Sequence, residues 1–299
     1  MLTIVKDTLT RVVSRAGRSV AAVALLALVG GVPAMASSPY VLGGLVGAIS
    51  GDPSYGWDGT YETAFRAGLQ NTANFGAGGT VTTAITTTNV TSTASLSGIN
   101  GLVVPWWANA SASTTQVNQV VAFFQAGGDL LLAEDDAAHS PVGIALGVPV
   151  AGTSSSPWTP AGYMAAGPFG PVGSVTTYYN ISYFNGTTVA GLHGTVGATD
   201  GAANVTVAYW PKHTFCATCG ALVMEGDVDV WATGATFSPL NADGKVSLNF
   251  VAYLVQNSGT FTGAPSGTPP ATPIPSTLIL AMCGMALVAW FFRRRLASR

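Results

Sequence analysis

Short apolar runs alternate with amphipathic helical segments, which predicts an α/β protein on an open, mostly parallel sheet with flanking helices. Three observations carry that prediction: a run of almost nothing but leucine at 129–133, a clear helical pattern just before it at 113–126, and a later strand-then-helix pair at 221–225 and 246–256. A strand covered on both faces reads as an unbroken apolar run, as the central strands of a parallel sheet do.

In chain order, 41–49 reads as a buried strand and 60–74 as a helix, with Tyr61, Phe65 and Leu69 at fourfold spacing on one face. Residues 80–87 alternate as a β-branched strand, and 99–105 form another short apolar strand. The helix at 113–126 buries Val117, Val120, Val121 and Phe124 and stops at Gly127-Gly128. After the leucine strand, 141–146 reads as a short helix ending at Gly147. From 150 to about 206 the pattern dissolves into Thr, Gly, Tyr and Pro, with β-like pieces at 175–179 and 205–210; this predicts a β-rich insertion over about 150–210. Strand 221–225 and helix 246–256 close a domain spanning 37–260.

The two ends read as addresses. Lys6, Arg11, Arg15 and Arg18 precede an apolar stretch, and Ala34-Met35-Ala36 places a small-x-small signal-peptidase site before Ser37. Residues 1–36 are therefore expected to be a signal peptide, the alternative being an uncleaved anchor. At the other end, a Pro/Gly/Thr linker and Pro-x-Pro motif fill 261–276, an apolar helix 277–292, and a basic tail 293–299. The apolar run of about 15 residues makes a helix of ~22 Å, short against a ~30 Å hydrocarbon core. Arg293, Arg294 and Arg295 put that end on the cytoplasmic side and the domain outside.

The order Pro273-Ile274-Pro275-Ser276-Thr277-Leu278, apolar helix, Arg293 to Arg295 resembles the PEP-CTERM sorting signal of Gram-negative bacteria. Ile274 stands where that family carries Glu. The resemblance covers under a tenth of the chain. It implies recognition by an exosortase, cleavage near the Pro-x-Pro motif, and passage from an inner-membrane-anchored precursor to the cell surface or extracellular matrix, where such proteins accompany exopolysaccharide and biofilm. A plain C-terminal membrane anchor is the alternative, because the helix inserts in either case.

Between the signals lie three cations, Arg66, Lys212 and Lys245, against twelve anions, a net charge of −9. Phosphate recognition needs clustered Lys and Arg, so a nucleic-acid partner is excluded from the expectations. Glycine pairs such as Gly78-Gly79 lack the lysine of a phosphate cradle.

The domain also resembles the class I glutamine amidotransferase-like, flavodoxin-like superfamily. The resemblance rests on 100–104, the helix-to-strand passage 123–132, Ala145-Leu146-Gly147-Val148, Gly226-Asp227-Val228-Asp229 and the helical segment 248–254. Catalytic members carry a Cys at a Gly-x-Cys-x-Gly elbow paired with a His, and this chain has no such elbow. The resemblance therefore implies the fold without the amidotransferase activity, and no cofactor.

Cys216-Ala217-Thr218-Cys219 precedes a strand instead of opening a helix, which in an oxidising exterior reads as a structural disulfide. His213 brings that pair to at most three ligands, one short of a zinc site.

Acidic residues follow three predicted strands: Asp52 and Asp58, then Glu134, Asp135 and Asp136, then Asp227 and Asp229. If those strands are parallel, the three groups converge on the carboxyl edge, where open α/β sheets keep their ligand crevice. Trp57, Trp106 and Trp107 lie in loops at the same edge, and an aromatic face beside carboxylates and amides such as Asn109 is a means of gripping sugar. The carboxylates serve three alternative ends: a hard-cation site for Ca²⁺ at Asp135, Asp136, Asp227 and Asp229, an acid/base pair such as Asp135 with Asp227, or loop caps. The expected function is a non-enzymatic surface or matrix protein that binds polysaccharide. Its alternatives are an extracellular glycan hydrolase and a Ca²⁺-stabilised envelope module.

Overall fold

The computed structural model describes residues 38–176, 180–232 and 241–258. The expected signal peptide, linker, membrane helix and basic tail lie outside the described residues. Among the described residues, no helix is long and apolar enough to cross a membrane.

Five parallel strands form the first half of the sheet. They are β1 (Tyr40–Leu45), β2 (Ile85–Val90), β3 (Gly101–Val104), β4 (Asp129–Ala133) and β10 (Leu222–Glu225), in the order β2-β1-β3-β4-β10. Every residue of β3, β4 and β10 is buried, as their apolar runs require. Their side chains alternate between two cores. Val103, Leu131 and Val223 enter one, while Leu102, Val104, Leu130, Leu132, Leu222 and Met224 enter the other.

Helices cover both faces. The first core takes Phe65 and Leu69 of α2 (Thr63–Gln70), Trp231 of α7 (Asp229–Ala232) and the long α8 (Ala242–Asn257). The second takes Val117, Val120, Val121 and Phe124 of α3 (Thr114–Gln125) with Val142 and Leu146 of α4 (Pro141–Leu146). The start of α3 is set by a capping box: the Gln116 amide donates to Ser113 Oγ, 3.2 Å, and the Ser113 amide to Gln116 Oε1, 3.0 Å. Helix α4 begins on a proline and ends at Gly147 with φ 79°, a left-handed position suited to glycine.

The sheet is mixed where a mostly parallel one was expected. Beyond β10 it continues through antiparallel strands: β9 (Val205–Trp210), then β7 (Ile181–Phe184) and β5 (Val150–Ser154), with β8 (Thr195–Asp200) also on β9 and β6 (Trp158–Pro160) on β8. Two short helices, α5 (Gly162–Ala166) and α6 (Gly186–Gly191), interrupt this segment. Its strands join the same sheet, so the 150–210 stretch extends the parallel half. Within the expected piece 175–179, Val175 makes one bridge to Trp158, and 177–179 lie outside the described residues.

Several expected boundaries move. Strand β1 stops at Leu45, and Gly47–Ser50 forms a short helix, α1, whose first amide donates to Asp58 Oδ1 at 2.8 Å. Helix α2 starts at Thr63, which leaves Tyr61 outside it and 45% exposed instead of on the buried face. The strand expected at 80–87 lies at Ile85–Val90, in register Tyr40 to Ile85 with β1.

Candidate functional site

Because β1, β3, β4 and β10 run parallel, the loops after them meet at one edge of the sheet. A crevice of ≈ 250 Å³ opens there, lined by Tyr55, Trp106, Asp135, Asp136, Thr153, Asn180, Val228 and Asp229. Tyr55 comes from the loop after β1, Trp106 from that after β3, the aspartates from those after β4 and β10, and Thr153 from β5.

One wall is aromatic. The Trp106 ring stacks on His139 with centroids 4.0 Å apart and meets Tyr55 edge-on at 5.0 Å, while Tyr61 packs against Tyr55 at 4.8 Å. His139 Nδ1 lies 2.9 Å from Asp136 Oδ1, and the Ala138 amide donates to the same oxygen. Asn109 holds this loop by donating to the Ala137 carbonyl and accepting from the Ser140 amide. Acidic side chains complete the lining: the Tyr55 hydroxyl donates to Asp229 Oδ1, 3.1 Å, which fixes that carboxylate beside the crevice.

The electrostatics are one-sided. Burial lifts the Asp135 carboxyl to about 7, and Asp229 and Asp136 add repulsion. Asp229 is raised as well, mainly by burial, against the Tyr55 hydrogen bond. Behind the crevice the acidic cluster continues into the core. Glu225 and Asp227 are wholly buried, and their carboxyls are pushed well above the usual range by burial first, then by repulsion from Asp227 on Glu225 and from Asp229 and Asp135 on Asp227. Glu62, also fully buried, is raised to about 8 by burial although Arg66 opposes the shift. Among the described residues, both Glu62 carboxyl oxygens, Glu225 Oε1 and Asp227 Oδ2 have no hydrogen-bond partner.

The structure separates the residues that sequence grouped together. Trp106, Asp135, Asp136 and Asp229 line the crevice. Trp57 and Trp107 do not reach it: both are completely buried, Trp57 against Phe65 in one core and Trp107 in the other. Gly44 leaves the room that the Trp57 ring occupies, since a β-carbon there would overlap it. Asp52 and Asp58 act as loop caps, Asp52 Oδ1 accepting from the Ser54 amide at 2.8 Å and Asp58 from Gly47. Glu134 turns away from the edge; its Oε1 accepts from the Gly143 amide, 3.1 Å, beside the Ser140 hydroxyl, so it secures α4. Asp227 points inward and its Oδ1 accepts from the Asp229 amide, so Asp229 and not Asp227 lines the crevice with Asp135. Among the described residues no group of three or more His, Cys, Asp or Glu side chains is arranged to hold a metal ion.

Tyr55, His139, Thr153 and Asn180 were absent from the sequence-derived site. Tyr55 lies between Asp52 and Trp57 in a loop already singled out, so its signal was present. Thr153 and Asn180 arrive from the segment without clear periodicity, which gave no hint that it returns to this edge. At the opposite, amino end of β10, Cys216 and Cys219 form a disulfide, and the Cys219 carbonyl accepts from the His213 amide.

No protein-family profile matches the chain, and no curated protein matches it. Solved structures similar in chain path include two from unrelated settings. The exo-β-1,4-mannosidase Op5Man5 from Opitutaceae bacterium strain TAV5 is 13% identical with a TM-score of 0.46, over 73% of this chain and 36% of that one. The chain thus spans about a third of the mannosidase. The mmIFT52 N-terminal domain is 10% identical with a TM-score of 0.48, over 73% of this chain and 97% of that one.

Proposed function

We propose that this is an exported, exosortase-sorted protein of the cell surface or extracellular matrix whose α/β domain binds carbohydrate, without turnover, in the crevice at the carboxyl edge. The crevice lining carries the binding reading: the partly exposed ring of Trp106 and the ring of Tyr55 share it with Asp135, Asp136, Asp229, Asn180 and Thr153. An apolar ring to stack on and several fixed acceptors match the two sides of a pyranose, which has an apolar face and a rim of hydroxyls. The strand order β2-β1-β3-β4-β10 is one of the common doubly wound orders and supports the amidotransferase-like reading of the parallel half. The missing Gly-x-Cys-x-Gly elbow supports binding over amide chemistry.

Export and sorting rest on the two ends of the sequence. Expression of the full chain with and without an exosortase tests them: a shorter, released product made only with the enzyme is the expected result. An unchanged membrane-bound product with the enzyme present would leave an anchored envelope protein. For binding, retention of the purified protein on exopolysaccharide is expected, and loss of the aromatic wall in Trp106→Ala should weaken it at least tenfold.

A second reading has its own observation. Asp135, lifted to about 7, and Asp229 share one crevice, and two carboxyls in unlike environments are what a glycoside hydrolase uses as acid and base. Release of reducing sugar that disappears in Asp135→Asn would establish hydrolysis in place of binding.

A further inference from the structure

We propose that the sugar held in this crevice is a basic amino sugar, a glucosamine-type unit bearing a free ammonium group. The inference rests on the carbohydrate-binding reading and names its ligand class.

Charge balance carries the argument. Asp135, Asp136 and Asp229 line the crevice, and among the described residues no Lys or Arg lines it. The described cations are engaged elsewhere. The Arg66 guanidinium binds the Gly59 carbonyl and sits 5.9 Å from the Trp57 ring, Lys212 donates to the Ser258 carbonyl, and Lys245 reaches the Pro171 carbonyl. His139 is paired with Asp136. What faces Asp135 and Asp229 is therefore acidic or neutral: each other, Asp136, Tyr55, and the buried Asp227, Glu225 and Glu62 behind them. Asp227 lies behind the crevice, fully buried, and among the described residues its Oδ2 has no hydrogen-bond partner.

A uronic acid placed here would meet like charge and is rejected. A neutral sugar would donate hydroxyl hydrogens to the carboxylates but leave their repulsion unrelieved. An ammonium group relieves it, and charge-assisted hydrogen bonds to carboxylates are about twice as strong as neutral ones. The same cation gains from lying against the Trp106 and Tyr55 rings. Size agrees: ≈ 250 Å³ falls below the roughly 300–1,000 Å³ of sites for drug-sized ligands, so a single sugar unit fits inside and its polymer continues out of the mouth. With Asp135 titrating near 7, affinity should fall as pH drops from 7 towards 5.

Calorimetry on the full chain in detergent at pH 7 tests this with three tetramers: glucosamine, N-acetylglucosamine and galacturonic acid. At least tenfold tighter binding of the glucosamine tetramer is expected, with no binding of the uronate. Asp135→Asn combined with Asp229→Asn should reduce that preference to within twofold, and Trp106→Ala should weaken both the amine and the acetylated tetramer. Equal binding of the amine and acetylated tetramers would overturn the amino-sugar inference and leave carbohydrate binding standing. No binding of any tetramer would remove both. Should the double variant fail to fold, the unaltered chain at pH 4.5 replaces it. An amine preference undiminished there, where Asp135 is protonated, also overturns the inference.

Discussion

A buried polar side chain is placed by the partners it satisfies, and Asn249 shows this most plainly. It sits fully buried on α8, accepts from the Phe169 amide at Oδ1, 3.1 Å, and donates from Nδ2 to the Met164 carbonyl, 3.2 Å. It thereby ties the segment around α5 to the last helix and completes two backbone groups that are shut off from water. Asn249→Ala strands both groups and opens a small void, and the expected loss is about 2–3 kcal/mol in urea unfolding. A loss under about 0.5 kcal/mol would show that water replaces the amide. Glu134 is placed by the same rule, turned by the Gly143 amide to hold α4. Its identity and its position after the leucine strand were legible in the sequence, but its direction was not, because the donor nine residues on is positioned by the turn between them.

At the scale of elements, strands covered on both faces and helices with strong caps were the legible ones. Strand β4 and helix α4 fall at the boundaries their patterns predict, and α3 starts at its Ser113 cap. Elements of the 150–210 segment were not, since β5 and β8 are half-exposed and rich in Thr and Gly, so neither an apolar run nor clean alternation marks them. The Cys216–Cys219 link precedes β10 and closes a four-residue loop. On loop-closure entropy such a short ring contributes about 2 kcal/mol. Replacing both cysteines by serine should lower the urea midpoint accordingly while leaving far-UV circular dichroism unchanged. A loss well above about 4 kcal/mol would indicate that Cys219, buried in the α3-side core, matters chiefly through packing.

Over the whole molecule, the buried acids set the dependence of stability on pH. Glu62 and Glu134 are raised to about 8 from 4.5, and Asp129 and Asp135 to about 7 from 3.8, all chiefly by burial; Glu225 and Asp227 move the same way. The folded chain therefore holds protons that the unfolded chain has released, so stability is full below about pH 4 and falls as pH rises through 7 to 8. The urea midpoint should be higher at pH 5 than at pH 8.5, and a flat or rising profile would contradict the neutral, buried assignment. Glu134→Gln keeps the acceptor for Gly143 and removes the ionisable group. It should raise stability at pH 8.5 by about 1–2 kcal/mol and change little at pH 5.

Residue order alone determined the covered parallel strands, the helices on either face and the convergence of acidic loops on one edge, because burial on both faces and helical period are written in neighbouring positions. The pairing of Cys216 with Cys219 was equally local. Tertiary structure decided which side chains form the crevice. Past the end of a strand, direction is set by loop hydrogen bonds, and these bury Asp227 and Glu134 while leaving Asp135 and Asp229 to line the crevice together. It also decided that Trp57 fills the space over Gly44 while Trp106 lines the site, and that Thr153 and Asn180 return to meet Tyr55 from about 100 residues or more along the chain. Contacts over such separations depend on how the antiparallel strands continue the sheet, and no local period encodes that.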